Sequence, residues 1–173
     1  ITNFIHGYPH FCVSVAFKRN DVLEHGLIYD PIRQELFTAS KGRGAYLNDK
    51  RIRVSECQSM RSALIGTGLP ERYINHLSYY LKTFACIFNQ TAGIRHHGSI
   101  VLDLAYVAAG RLDGFWELKL EPWDVAATTL LIQEAGGLIS TLQGEGLEKG
   151  DVVAGNPKIY KQLIKSIQGV LID

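Results

Sequence analysis

The spacing of the hydrophobic residues changes near residue 70, and this change limits the folds open to the chain. Before it, short β-branched and aromatic runs predict a meander of antiparallel strands, beginning with a hairpin of His10–Phe17 and Val22–Tyr29. After it, apolar residues recur at spacings of three and four, which predicts amphipathic helices between short strands. This order predicts an α/β or α+β layered sandwich, and residues 1–173 are expected to form a single domain.

Apolar periodicity and capping residues predict four helices. The first carries an apolar stripe from Ile74 to Phe88 and is expected to be about 16 residues long. The second begins after Ser99 as its N-cap and stops at Gly110. The third spans Asp124–Ala135, and the last begins at Pro157, because proline is favoured in the first turn of a helix.

Composition excludes several classes of protein. The apolar runs fall far short of the roughly 20 residues that span a bilayer, so no membrane segment is predicted. A net charge of +1 gives no bulk attraction to phosphate backbones, and direct nucleic-acid binding is not predicted. The three cysteines, Cys12, Cys57 and Cys86, form no close pair, which argues against a disulfide framework or a zinc site and predicts a reducing, cytoplasmic location.

Two carboxylates are candidates for chemistry. Asp124 follows Pro122 and Trp123 at the expected N-cap of the third helix, where a carboxylate caps the helix and faces the positive end of its dipole. Glu117 stands seven residues upstream at the end of a strand. Strand ends and helix starts meet where layered α/β proteins bind ligands, so the pair would suit Mg²⁺ or a sugar hydroxyl. A structural cap and a ligand site both remain open for Asp124.

Two glycine-containing segments resemble anion sites. Gly98 and Ser99 open a helix whose free backbone N–H groups could bind a phosphate or a polar ligand atom. Lys41–Gly44 resembles a phosphate loop, but no helix follows it, so a turn between strands is the preferred interpretation.

The histidine pairs are not predicted to bind metal. His96 and His97 are adjacent, and adjacent side chains in an extended segment point to opposite faces. His6 and His10 have helical spacing, but a glycine and a proline between them exclude a helix.

Several segments together resemble the inositol monophosphatase family, particularly its bacterial members. The resemblance extends from the first residues to the terminal helix. Its most specific part is the third helix, which begins with Trp-Asp-x-Ala-Ala and ends with Glu-Ala-Gly-Gly. The segments that carry it are Asn3–Phe11, Val13–Ala16, Tyr29–Pro31, Glu35–Ala39, Gly42–Ala45, Gly98–Ser99, Asp103–Ala105, Gly110–Gly114 and Pro122–Ala127.

The resemblance implies an αβαβα phosphatase that hydrolyses a phosphate monoester of inositol or a related polyol with Mg²⁺. It implies that Asp124 is a magnesium ligand close to the substrate and that Glu117 holds an inositol hydroxyl. It also implies that Gly98, Ser99 and Ile100 line the substrate, and that the protein is a homodimer.

The chain departs from the family pattern at its start. In the family, the segment before Asn3 reads Asp-Pro-x-Asp-Gly-Thr, and a Glu-Glu pair lies further upstream; these groups supply metal ligands and activate water. None of them is present in this sequence. We therefore predict that the chain is the C-terminal two-thirds of a longer enzyme, that its water-activating residues precede Ile1, and that the chain alone is inactive.

Two alternatives stay open beside inositol phosphate. Related families hydrolyse fructose 1,6-bisphosphate, nucleotide bisphosphates or histidinol phosphate on the same fold. Some bacterial members also assist ribosomal RNA transcription by contacting the transcription machinery. The basic residues Arg43, Lys50, Arg51 and Arg53, on a predicted hairpin, could serve such contacts, although a solvated face is the preferred interpretation.

Overall fold

The computed structural model arranges two five-stranded sheets and two helical layers in the order sheet, helices, sheet, helices. It describes residues 1–69, 77–142 and 150–172. The strands are β1 (Val13–Arg19), β2 (Val22–Asp30), β3 (Glu35–Ser40), β4 (Gly44–Leu47), β5 (Lys50–Ile52), β6 (Leu64–Thr67), β7 (Gly93–Arg95), β8 (Gly114–Leu120), β9 (Leu138–Thr141) and β10 (Gly150–Gly155). The helices are α1 (Thr2–Ile5), α2 (Leu77–Phe88), α3 (Ile100–Ala108), α4 (Pro122–Glu134) and α5 (Pro157–Ile172).

The first sheet is the antiparallel meander that the sequence predicts, in the order β1-β2-β3-β4-β5. Asn20 and Asp21 join β1 to β2 with φ angles of 48° and 61°, the left-handed backbone that tight two-residue hairpin turns require. Asn48 and Asp49 repeat this geometry between β4 and β5, with φ angles of 45° and 64°. Short polar side chains tolerate this conformation better than most, so the turn residues set the register of both hairpins.

The second sheet is mixed, in the order β7-β6-β8-β10-β9. Strand β6 runs parallel to both of its neighbours, and β10 is antiparallel to β8 and β9. Because β6 and β8 are parallel, with Thr67 opposite Trp116, their carboxyl ends reach the same edge of the sheet. The chain leaves these two strands at Gly68 and, further along, at Glu121, which places both connections beside the same opening.

Helices α3 and α4 fill the space between the sheets, while α2 and α5 cover the far side of the second sheet. Strand β2 comes close to α4 at Gly26, where an added Cβ would lie 2.8 Å from the carbonyl oxygen of Ala127. Glycine is needed here because any side chain would push the first sheet away from α4.

A bulge in β8 changes which face of the sheet its residues occupy. Trp116 and Leu118 belong to the core under α2 and α5, whereas Leu120 belongs to the core between the sheets. Residues two apart in a regular strand share a face. Lys119, with a φ of 55°, adds the extra residue that moves Leu120 to the other side, opposite a register shift in β10.

The outward face of the first sheet is apolar and open. Every residue of β1 is exposed, and Val13, Val15 and Phe17 are each at least half exposed. Their cross-strand partners Leu27 and Tyr29 are also exposed. A contiguous apolar face of this kind is typical of a surface that another segment or partner covers.

Some helix boundaries in the structure differ from the predicted ones. Helix α4 begins at Pro122, two residues before the predicted start, and its N-cap is Glu121. The predicted N-cap Ser99 and the terminal helix starting at Pro157 are confirmed. Ile74, assigned to the first predicted helix, lies outside the described residues. Within the described part of the chain, none of the helices is long and apolar enough to cross a bilayer.

Lys41–Gly44 forms the turn between β3 and β4, as the preferred interpretation states. Its backbone N–H groups bind a carboxylate of this chain: Gly42 and Gly44 each donate to one oxygen of Glu134, both at 2.7 Å. The N–H groups of the turn therefore bind a carboxylate of the same chain, and this contact attaches the turn to the end of α4.

Removing this carboxylate should loosen the turn. We expect Glu134→Ala to lower the free energy of unfolding by about 2 kcal/mol, because two N–H groups lose a charged acceptor. The adjacent exposed residue supplies the control, and Gln133→Ala should change the value by less than about 0.5 kcal/mol. Urea unfolding followed by circular dichroism measures both. Equal stability of the two variants would contradict the assignment.

Candidate functional site

A cleft of about 610 Å³ opens where β6 and β8 end and where α3 and α4 begin. All five residues that the sequence analysis assigns to the site line it. They are Gly98, Ser99, Ile100, Glu117 and Asp124. The lining also includes residues from the start of the chain, from the ends of β6 and β8 and from the beginning of α3, among them Asn3, Thr67, Gly68, His97, Asp103 and Lys119. Residues far apart in the sequence thus form one concave surface with several polar groups, the usual character of a ligand site.

Glu117 is largely buried, and the alternation of β8 directs it to the same side as Phe115, toward the layer of α3 and α4. Its carboxylate lies against Gly68 at the end of β6, where an added Cβ would overlap the carboxylate atoms. Glycine at this position therefore makes room for the Glu117 carboxylate in the wall of the cleft.

Asp124 is half-buried in the first turn of α4, at the third helical position rather than at the predicted N-cap. Its Oδ2 accepts a hydrogen bond from the backbone N–H of Glu121 at 3.1 Å. This is one half of a capping box, and it stabilises the start of the helix. The structural interpretation is therefore correct, and the same carboxylate also lines the cleft, so the two interpretations do not exclude each other.

The start of α3 forms another part of the cleft wall. Ser99 is the N-cap in an extended conformation, and Gly98 before it has a φ of 78°. The Asn3 side chain packs where a Cβ of residue 98 would stand, with its closest atoms at 3.0 Å. Both the positive φ and this contact favour glycine, which brings the first backbone N–H groups of α3 to the cleft.

Cys12 lies behind this wall, packed against the core between the sheets. Burial raises the pKa of its thiol to about 11, with the carboxylate of Asp30 acting in the same direction, although a hydrogen bond with Ser99 opposes the shift. The thiolate, which is the reactive form, is therefore scarce at neutral pH. A role for Cys12 as a nucleophile finds no support in this environment.

At pH 8 we expect Cys12 in the folded protein to react with iodoacetamide about a hundredfold more slowly than in the urea-unfolded chain, since its pKa rises from 9.0 to about 11. Mass spectrometry of the peptide containing Cys12 measures the rate, and the same peptide from unfolded protein is the reference. Equal rates in the two states would show that the thiol is not buried in solution.

A cluster that the sequence analysis missed borders the cleft. His97 Nδ1 lies 2.6 Å from Asp103 Oδ1, and His10 Nε2 lies 3.7 Å from the same oxygen. Spacing along the sequence pairs His97 with His96 and His10 with His6, and it does not pair His10 with His97. No local pattern in the sequence indicates that the loop before β1 lies close to the loop before α3.

The described residues do not complete a magnesium site around Asp124. Among them, the only group of three or more His, Cys, Asp or Glu side chains with converging ligand atoms is His10, His97 and Asp103. Two imidazoles make it a poor match for Mg²⁺, which prefers oxygen ligands in near-octahedral geometry. Asp124 supplies a carboxylate at the cleft, but the other ligands of a magnesium ion are not found in the described part of the chain.

A family model described as "Inositol monophosphatase family" matches residues 2–171, almost the whole chain. The chain belongs to the inositol monophosphatase family. The resemblance noted from the motifs is thereby confirmed, and so is the predicted layered α+β fold. A crystal structure of the extragenic suppressor protein SuhB from Bartonella henselae has a TM-score of 0.92 and 42% identity, covering 96% of this chain and 65% of that one.

Similar members of the inositol monophosphatase family carry two kinds of name. A protein of Pseudomonas aeruginosa named Nus factor SuhB is 57% identical over 96% of this chain and 63% of its own length. A protein of Rhizobium meliloti named inositol-1-monophosphatase is 47% identical over 96% of this chain and 64% of its own length. The chain therefore spans just under two-thirds of these two relatives.

Proposed function

We propose that this chain forms the substrate-binding wall of a Mg²⁺-dependent phosphatase that hydrolyses inositol monophosphate to myo-inositol and phosphate. The observation that carries this proposal is the common cleft of Gly98, Ser99, Ile100, Glu117 and Asp124. Membership of the inositol monophosphatase family supports the hydrolytic class. Burial raises the pKa of the nearby Cys12 thiol to about 11, which gives no support to a thiol nucleophile as an alternative.

The polar groups of the cleft match the two ends of such a substrate. The Glu117 carboxylate can only accept hydrogen bonds when ionised, and a polyol ring offers hydroxyl donors. The backbone N–H groups at the start of α3, beginning after Ser99, suit an anion or a ring oxygen. Asp124 would contribute one metal ligand, and we expect the remaining ligands and the groups that activate water to come from a longer chain.

The proposal of a longer chain rests on two observations besides the incomplete metal site. The relatives are longer than this chain by about a third of their own length. In addition, the apolar face formed by β1 and β2 is open, and apolar faces of this kind are normally covered in a folded protein. An upstream segment would both cover this face and supply carboxylates.

Phosphate release from inositol 1-phosphate in the presence of Mg²⁺ tests the proposal. We expect no turnover by the 173-residue chain and clear turnover by the protein encoded with its upstream segment. Fructose 1,6-bisphosphate, a nucleotide bisphosphate and histidinol phosphate, offered in parallel, test the substrate alternatives. Turnover by the chain alone would refute its inactivity, and a longer protein that hydrolyses none of these esters would refute the phosphatase proposal.

A second candidate function is a non-catalytic role in transcription, favoured by the relatives named as Nus factors. The basic residues predicted for such contacts, Arg43, Lys50, Arg51 and Arg53, lie on or beside the β4–β5 hairpin, and all four are exposed. An exposed cationic strip would attract an acidic surface of the transcription machinery.

Co-purification with RNA polymerase separates this role from hydrolysis. If the strip is the contact, replacing its four basic residues by alanine should abolish co-purification, whereas Asp124→Asn should leave it unchanged. Retention of RNA polymerase by the alanine variant would exclude the strip as the contact. Homodimerisation and a cytoplasmic location stay predictions; light scattering of the purified protein tests the former and cell fractionation the latter.

A further inference from the structure

His10, His97 and Asp103 come from two distant parts of the chain and bring three ligand atoms together. His10 precedes β1, His97 precedes α3, and Asp103 is in the first turn of α3. His10 Nε2, His97 Nδ1 and one Asp103 carboxylate oxygen all lie within 4.8 Å of one another. His10 and Asp103 are almost fully buried, while the His97 side chain is 29% exposed and lines the cleft.

The two histidine loops are held together by one side chain. The Asn3 amide nitrogen donates hydrogen bonds to the backbone oxygens of His10, at 2.7 Å, and His97, at 2.9 Å. The two imidazole rings stand with their centroids 5.1 Å apart. The backbone segments that carry both rings are therefore held together before any ligand arrives, which lowers the entropic cost of binding.

His10 Nε2 is a buried polar atom for which the described residues offer no hydrogen-bond partner. His10 is only 3% exposed, and its nearest charged atom, Asp103 Oδ1, stands at 3.7 Å. Buried polar atoms are nearly always satisfied, and leaving one unsatisfied is costly. An electron-pair acceptor placed between His10 Nε2 and Asp103 would remove this cost.

We propose that His10, His97 and Asp103 bind a first-row transition metal ion, with Zn²⁺ as the favoured occupant. Two imidazole nitrogens and one carboxylate oxygen form the three-ligand set of open zinc sites, in which a fourth position is left for water or a ligand. Because His97 and Asp103 both line the cleft, a water or ligand could reach this fourth position from the cleft. The donor set distinguishes this ion from the Mg²⁺ of the proposed function, and the proposal does not depend on that function.

The two distances to Asp103 require only small adjustments, while His10 Nε2 and His97 Nδ1, which lie within 4.8 Å of each other, would move closer together around an ion. Tetrahedral ligands at the usual zinc bond lengths stand about 3.3 Å from one another. The 3.7 Å between His10 and Asp103 is close to this spacing, while the 2.6 Å hydrogen bond between His97 and Asp103 must open slightly. His97 lies in a loop and is partly exposed, so its ring has room to rotate.

Titration of the chelator-treated chain with Co²⁺ tests this site, because Co²⁺ replaces Zn²⁺ and absorbs visible light intensely when tetrahedral. We expect one equivalent to bind with visible bands, to be displaced by Zn²⁺ and to be unaffected by excess Mg²⁺. His97→Gln and His10→Gln should each weaken binding about 100-fold or more, because each removes a direct ligand. His25→Gln is the matched control, since His25 is exposed on β2 and bonded to Ser40.

Circular dichroism and urea unfolding of each variant separate loss of a ligand from loss of the fold. His97→Gln is the decisive variant, because the His97 side chain is partly exposed and its replacement is expected to disturb the core less than replacement of the buried His10. Absence of saturable Co²⁺ binding by the wild-type chain would overturn the proposal. So would a folded His97→Gln variant that binds as tightly as wild type, or an equal loss of binding in His25→Gln.

Discussion

In the longer protein with its upstream segment, Asp124→Asn is expected to lower kcat for inositol 1-phosphate about 1000-fold while hardly changing stability. Loss of one charged metal ligand removes several kcal/mol of transition-state stabilisation, and about 4 kcal/mol corresponds to this factor. The asparagine oxygen can still accept the N–H of Glu121, so the helix cap is retained. Phosphate release and urea unfolding, measured on the same preparation, provide the two readouts.

Two further variants show which property of Asp124 matters. Asp124→Ala removes the cap as well as the charge, so it should lose the same activity and, in addition, about 1 kcal/mol of stability. Asp21→Asn, at an exposed hairpin turn, should leave both quantities unchanged. If Asp124→Asn kept more than a tenth of the wild-type kcat, the carboxylate would be a helix cap alone and its assignment as a ligand would be wrong.

The largest effect on folding is expected at Asp30, which is fully buried at the end of β2. Its Oδ1 accepts the backbone N–H groups of Ile32 at 2.9 Å and Arg33 at 3.0 Å, and its Oδ2 pairs with the Arg33 guanidinium at 3.0 Å. Asp30→Ala should lower the free energy of unfolding by about 3 kcal/mol, because these donors lose their acceptor in a buried place. Urea unfolding measures the loss.

A second aspartate on the same sheet gives a matched control. Asp21 pairs with Lys18 at 3.2 Å, but its side chain is 98% exposed. Exposed pairs contribute little, and asparagine also tolerates the left-handed backbone of this turn, so Asp21→Asn should change stability by less than about 0.5 kcal/mol. Similar losses for Asp21→Asn and Asp30→Ala would mean that burial of the Asp30 carboxylate does not determine its contribution.

The Asp30 contribution should also depend on pH. Burial alone would raise the pKa of Asp30, but the hydrogen bonds and the charge of Arg33 and the N–H of Ile32 outweigh it, and the pKa is lowered. A lowered pKa means that the stabilisation is fully present above the ordinary aspartate pKa and is lost as the pH falls through the folded-state value. The stability difference between wild type and Asp30→Asn should therefore be constant near neutrality and shrink in acid. A difference that grew in acid would reverse this assignment.

Much of the fold could be predicted from local patterns. The hairpin of β1 and β2 and the start of α5 were visible because alternation, turn residues and an N1 proline act over a few neighbouring residues. The start of α4 was misplaced by two residues, since Glu121 is an uncommon N-cap and Asp124 three residues later completes the capping box. The bulge at Lys119 carries no glycine and no other local signal.

The candidate site was predictable only in part. Glu117 and Asp124 could be placed together because a strand end and the next helix start are close in sequence as well as in space. The convergence of His10 with His97 was not predictable, since it depends on the Asn3 amide bridging two loops that are distant in the sequence. Local pair spacing contains no information about such a contact.

The sequence by itself determined the secondary structure, the layered class and, through its motifs, the family. The tertiary structure decided that β6 runs parallel to β8, that Gly68 leaves room for Glu117, and that the Lys41–Gly44 turn is filled by Glu134. The physical reason is the sequence separation of the interacting residues. Hydrophobic periodicity and helix-capping signals depend on residues only a few positions apart. Strand pairing, side-chain clearance and shared ligands arise instead between segments that become neighbours only when the whole chain packs.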